Sequence, residues 1–346
     1  MSTSTSGSGS ERLAVGAALV TVVLWASAFV GIRAAAVDLL PGSIALGRLV
    51  VGTLALGMLV GTRPWVRPRG RDLLCIAGTG LSWFAAYSVV LGEAERRLDA
   101  GTAAMVVGVG PLLIALLAAT LLGEGFSTRL LAGCGVALVG TALIGLASAT
   151  APATGSTVGQ AASAAAGPLA GATPAGLGLA LGAALLYAVG VVCQKPALRR
   201  LPPLQVTWLA CLIGALACLP YAPGLLADLG RARPEHLGWI IYLGLVPTSV
   251  GFSTWGFALA RLSAGRAGAM TYLIAPATIL ISWLVLGETP SAVATLGGAV
   301  CIVGVAFARG ARLPRPPSPS ATIVPVDRPH EHGPTHARLG GPLSGR

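Results

Sequence analysis

Residues 97–142 read RLDAGTAAMVVGVGPLLIALLAATLLGEGFSTRLLAGCGVALVGTA, and most of this pattern is written again at residues 261–306. Placing Glu124 over Glu288 sets an offset of 164 residues. At that offset Arg97, Leu98, Ala100, Gly101 and Ala103 meet Arg261, Leu262, Ala264, Gly265 and Ala267. Further on, Gly123, Gly133, Val136, Val139, Gly140 and Ala142 meet Gly287, Gly297, Val300, Val303, Gly304 and Ala306. Each copy reads as a hydrophobic helix interrupted by proline (Pro111, Pro276), a Gly-Glu turn, and a glycine-rich helix. The two prolines miss register by one residue.

Working outward, the chain is 54% hydrophobic and only 10% charged, with a mean hydropathy of +0.80, which places it outside the range of soluble domains. Apolar runs near the ~20 residues that cross a bilayer are read at 13–32, 42–60, 73–92, 101–122 and 130–147. A second set is read at 175–193, 204–221, 237–259, 267–286 and 293–307. Residues 1–12 read as a disordered lead, 148–174 as an uncharged Ala/Gly/Ser/Thr/Pro linker, and 310–346 as a disordered Pro/Arg-rich tail. The expected domains are therefore two five-span halves, 13–147 and 175–309.

The first span repeats as well. At an offset of 162, Leu24, Trp25, Ala26, Val30 and Arg33 lie over Leu186, Tyr187, Ala188, Val192 and Lys195. Five spans per half make the second half inverted relative to the first. The expected fold is an all-α membrane protein of ten transmembrane helices in two inverted five-helix repeats. Ala26-Ser27-Ala28 has the form of a signal-peptidase site, but Arg12 beside Glu11 makes a poor leader and the span has a later counterpart, so it is read as a retained helix. Basic residues place both termini in the cytoplasm: Arg63, Arg67, Arg69, Arg71, Arg129, Lys195, Arg199, Arg200, Arg261 and Arg266 fall in one set of loops. Arg33, Arg96, Arg97, Arg231 and Arg233 fall in the other.

The net charge of +11 flanks these spans, which argues against nucleic acid and for a lipid bilayer as the partner. Cys75, Cys134, Cys193, Cys211, Cys218 and Cys301 lie in apolar runs without disulfide or metal-ligand spacing. His330-Glu331-His332 is too closely spaced for a helix-borne zinc site, and no metal or cofactor is expected. Nucleotide-driven pumping would need a P-loop, and the lone lysine follows Gln194 where that motif requires glycine. The spans hold no histidine and no mid-depth carboxylate, so neither a catalytic set nor a proton carrier can be assembled.

Arg48 is the informative charge, because an arginine near the bilayer centre costs about 2.5–3.5 kcal/mol on insertion scales. It either snorkels to the interface and fixes packing or holds an anionic group in a wet cavity. Trp25 and Tyr187 share a repeat position, and Trp83 and Tyr87 share a helix face. Pro111 and Pro276 mark kinks or a gate, and the small-xxx-small glycines of 130–147 and 293–307 mark close helix packing. Glu124 and Glu288 are read as helix stops or caps at the interface.

The doubled plan, the stretch WASAFVGIR from Trp25 to Arg33, Gly47-Arg48-Leu49, and the units ending Gly123-Glu124 and Gly287-Glu288 together resemble the EamA family of the drug/metabolite transporter superfamily. The resemblance covers about residues 13–309. It implies a central cavity and export of amino acids, metabolites or drugs, with cavity positions Trp25, Arg48, Trp83, Tyr87, Met105, Tyr187, Ser249 and Tyr272. The long linker and the charges Glu93 and Glu95 depart from the pattern, and 13–32 lacks the glutamate used by small multidrug-resistance relatives. The expected function is a secondary transporter, not an enzyme, exporting small amphipathic metabolites across the cytoplasmic membrane by alternating access. A homo-oligomer is left open, and a membrane scaffold or sensor with a partner-binding tail is the alternative.

Overall fold

The computed structural model describes residues 5–36, 38–98, 100–125, 127–149, 173–286 and 291–310, and among them it is helical with no strand. The linker at 150–172, the turn at Gly287 and Glu288, the side chain of Arg33, and the tail with His330-Glu331-His332 lie outside the described residues. The first half contains α1 (Thr5–Ala35), α2 (Pro41–Gly61) and α3 (Gly70–Thr79), which runs through a π-helical segment Gly80–Ala86 into α4 (Tyr87–Glu95). It continues with α5 (Ala100–Val107), α6 (Gly110–Leu121) and α7 (Thr128–Ala149). The second half contains α8 (Pro174–Ala197), α9 (Pro203–Ala217), α10 (Ala222–Leu229) and α11 (Pro234–Leu243). A π-helical segment Gly244–Gly251 leads into α12 (Phe252–Arg261), followed by α13 (Ala264–Met270), α14 (Ile274–Leu286) and α15 (Ala292–Arg309).

Eight helical stretches are long and apolar enough to cross a membrane. A ninth is formed if α9 and the segment after it, bent by 51°, are taken as one span, and 105–121 is a shorter apolar helix. Exposed Leu54, Met58, Leu74, Leu284 and Leu296 belong to outer faces of this kind, where lipid is the solvent. Hydroxyls along the spans return to backbone carbonyls of the preceding turn, as with Thr79 to Cys75 O at 3.0 Å and Thr278 to Ile274 O at 2.9 Å. That satisfies polar groups where water is absent.

Two sequence expectations change. The amino-terminal lead is helical from Thr5, not disordered to residue 12; Glu11 is ion-paired to Arg266, which anchors these first turns to the second half. Pro111 does not interrupt a continuous helix. The break falls just before it, at Gly108–Val109, and Pro111 sits in the first turn of α6, where a missing N–H costs nothing. The equivalent break is a 3₁₀ turn at Thr271–Leu273, and Pro276 follows in the first turn of α14.

The glycine-rich helices α7 and α15 pack on each other at backbone distance. A Cβ at Gly140 would stand 2.6 Å from Gly297 O and Cys301 N, and one at Gly304 would stand 2.5 Å from Ala137 N. Gly133 faces Gly304 and Ala308, whereas Gly140 faces Gly297 and Cys301, so the two helices run antiparallel. Without a hydrophobic force between helices in lipid, such close van der Waals contact is what holds them. The cysteine Sγ of Cys301 donates to Ala137 O at 3.3 Å.

The π-helical segments were not foreseen, yet they too repeat. Gly80 and Gly244, related by the 164 offset, open the two segments and press on the second span of the opposite half. A Cβ on Gly80 would lie 2.7 Å from Ala210 O, and one on Gly244 would lie 2.9 Å from Arg48 O. Both third spans thus carry a π segment at an equivalent position in the two halves.

Candidate functional site

Four helices, two from each half, bring their aromatic side chains together. Trp25 of α1 stands edge-on to Trp83 at 5.6 Å between centroids, with Phe252 at 5.0 Å and Trp255 at 5.4 Å. Its indole N–H donates to Pro247 O in the second π segment at 3.2 Å. Trp83 also lies 5.1 Å from Tyr187, and Tyr187 lies 6.0 Å from Tyr87. Trp83 and Tyr187 are buried, while Trp25 and Tyr87 keep partial exposure. The repeat-related pair Trp25 and Tyr187 therefore meets on the two sides of Trp83. Edge-to-face and tilted contacts of this kind suit the ring quadrupoles and hold the cluster rigid.

Arg48 joins the cluster through the next turn of α4. Its Nη2 donates to Ser88 Oγ at 3.3 Å, and Tyr87 lies within electrostatic range of the guanidinium. Its Nε is buried with no hydrogen-bond partner, and no described carboxylate pairs with it. A guanidinium has five donors in a fixed fork, and a single neutral hydroxyl leaves most of them unmatched.

The remaining sequence candidates fall in different places. Tyr272 is buried at the break between α13 and α14, its hydroxyl near the backbone of Leu112, while Tyr187 donates to the adjacent Thr271 Oγ1 at 3.2 Å. Ser249 is buried and donates to Gly244 O at 2.8 Å, so its hydroxyl serves the π segment. Met105 is half-buried on α5 and is not among the residues of the core around these rings. Glu93 is ion-paired with Arg96 and Arg97, just beyond the end of its own helix. Tyr242 shares a hydrogen bond of 2.7 Å with Ser27 of α1.

Gln194 is a further residue of the site that the repeat did not reveal. It is fully buried, its Oε1 accepts from the Trp255 indole N–H at 3.1 Å, and its Nε2 has no partner. Trp255 stands behind Trp25 and Trp83, so Gln194 sets the back of the aromatic wall. A lone carboxamide in an apolar run was the available signal. Among the described residues no group of three or more His, Cys, Asp or Glu could hold a metal.

Helical spans surrounding a polar and aromatic centre define a multi-pass membrane transporter. The EamA-like transporter family model matches residues 12–146 and 174–310, and the chain belongs to that family. A relative from Streptantibioticus cattleyicolor, described as a probable terminal-alkyne amino-acid exporter, is 35% identical and aligns over 84% of this chain and 92% of its own length. A probable amino-acid metabolite efflux pump of Salmonella typhimurium is 24% identical over 83% of this chain and 92% of its own. One crystal structure superposes with a TM-score of 0.63 over 85% of this chain and 96% of that chain at 19% identity, a likeness of fold.

Proposed function

We propose that the chain is a secondary transporter that exports small amphipathic metabolites, of amino-acid-like character, across the cytoplasmic membrane by alternating access. In this reading ten spans form two inverted five-helix repeats with both termini in the cytoplasm. The antiparallel glycine packing of α7 on α15 supports the inversion. So does the separation of loop contacts: Arg200 with Asp72 and Arg266 with Glu11 join loops of one set, and Arg233 with Asp38 joins loops of the other.

One observation carries the substrate reading: a guanidinium with its Nε unmatched stands one helical turn from a rigid aromatic cluster. A carboxylate on Arg48 would fill its fork. The ammonium of an amino acid would face Trp25 and Tyr87, whose rings attract cations, and the apolar remainder would lie on Trp83 and Tyr187. Ser249, Met105 and Tyr272 complete the proposed lining, with the breaks before Pro111 and Pro276 as its flexible points. The names of the two relatives above support export of amino-acid-type compounds.

The test is efflux from cells preloaded with labelled amino acids and small metabolites, with and without expression of the protein. Faster loss of an amino-acid-type compound on expression is the expected outcome. Equal loss of every compound in both cells would remove the export reading.

A further inference from the structure

The short connection after α12, residues 262–263, is gripped at both of its ends by opposite charges. The Glu124 carboxylate accepts from the backbone N–H of Ala264 at 2.8 Å and of Gly265 at 3.3 Å, the first amides of α13. Lys195 Nζ donates to the carbonyl oxygens of Leu259 and Leu262, at the end of α12, and lies within electrostatic range of Glu124. Arg266 adds its ion pair to Glu11 of α1. Glu124 and Glu11 belong to the first half, whereas Lys195, Arg266 and the gripped connection belong to the second.

The carboxylate is presented by a special backbone. Gly123 (φ +64°) and Gly125 (φ +77°) both occupy the left-handed region, so the chain doubles back on either side of Glu124 and offers its side chain across the seam. On the receiving side Gly265 admits close approach, since a Cβ there would stand 2.7 Å from Leu130 Cδ2 and 3.4 Å from Ala115 Cα.

This seam differs in kind from the α7–α15 contact. There the two halves touch through backbone and small side chains, an interface that cannot slide without losing its packing. Here, beside the close contact of Gly265 with Leu130 and Ala115, the halves are joined by charge-assisted hydrogen bonds to the orphan amides and carbonyls of helix ends. Rigid-body closure turns on a few loop or element-terminal residues, and the Glu124 contact joins residues of that kind from the two halves.

We propose that Glu124, with Lys195, is the latch of the gate on the membrane face that carries the start of α1. It closes when the carboxylate caps α13 and must release for the cavity to open to that face. The proposal rests on the alternating-access reading above. In the repeat, Glu288 stands to Ala100 and Gly101 as Glu124 stands to Ala264 and Gly265; Glu288 lies outside the described residues, and the proposal does not draw on it.

Two measurements test it. Hydrogen–deuterium exchange on the full-length protein in lipid nanodiscs compares the wild type with Glu124→Ala and with Glu124→Gln, whose amide oxygen can still accept. Segment 259–270 is expected to exchange on the order of tenfold faster in E124A, as for a lost capping contact, with E124Q between it and the wild type and α9 unchanged in all three. In the second, E124C/A264C, in a background whose six native cysteines are replaced by alanine, is joined by a short bis-maleimide and assayed by counterflow of labelled amino acids, beside E124C and A264C alone in that background and treated alike. A gate predicts loss of flux only in the joined protein, whereas a static cap tolerates a permanent link. Unchanged exchange in both Glu124 variants, or full flux through the joined protein, would overturn the latch. A wild type that carries none of the amino acids would overturn the transport reading first, and the gate with it.

Discussion

Arg48 was visible in the sequence as a charge inside a span, but its depth could not decide between packing and binding. The binding proposal rests on its company: Ser88 as one weak partner, an unmatched Nε, and Tyr87 within electrostatic range. Arg48→Ala is expected to slow transport of a carboxylate substrate by about 10- to 100-fold, the range for losing a hydrogen bond to a charged group. Transport of its neutral amide should change little, and Arg48→Lys should fall between, because an ammonium keeps the charge and loses the fork. Equal loss for acid and amide would show that Arg48 only packs. Trp83 is a different kind of residue, buried and touching Trp25, Phe84, Tyr187, Phe252 and Trp255. Trp83→Ala should cost about 3–5 kcal/mol of stability, read as a large fall in thermal unfolding temperature in detergent. Trp25→Ala, at a partly exposed ring, should leave a folded protein with weakened transport.

Elements were legible where the sequence carried a period or a doubling. The glycine spacing in 130–147 and 293–307 named the helices that pack closely, and the distances at Gly133, Gly140, Gly297 and Gly304 bear this out. The prediction at this scale compares two glycines of one helix. Gly140→Val must push into Gly297 O and Cys301, and should destabilise by about 1–3 kcal/mol. Gly135→Ala meets nothing within 4 Å and should be neutral, or stabilising by up to about 1 kcal/mol through helix propensity. Similar unfolding temperatures for the two variants would contradict the packing account. The π segments at Gly80–Ala86 and Gly244–Gly251 were not legible, because their backbone shift has no residue signature beyond glycines that also suit an ordinary close-packed helix. The bend after α9 escaped for a related reason: the apolar run continues through Leu219-Pro220-Tyr221, and only the chain's path shows the turn.

For the whole molecule, the doubled Gly-Glu units pointed to the family, whose model matches residues 12–146 and 174–310. The meeting of Trp25, Trp83, Tyr87 and Tyr187 was legible only in part. Repeat equivalence placed Trp25 and Tyr187 at one depth, but which rings face each other depends on helix rotation, which the membrane-facing leucines and alanines do not specify. Ser249 carries the same ambiguity: residue type alone marks its hydroxyl as a polar group in a span, and only the fold shows that it donates to Gly244 O. Gln194, by contrast, is a polar side chain whose environment is wholly tertiary. The measurement that bears most directly on the central claim is counterflow in proteoliposomes containing the purified protein, using a labelled amino acid and its amide, with wild type and Arg48→Ala side by side. The account predicts saturable uptake of the acid by the wild type, much weaker uptake by R48A, and no such difference for the amide. Folded wild-type protein that carries neither compound, or any other amino-acid-type compound offered, would contradict it.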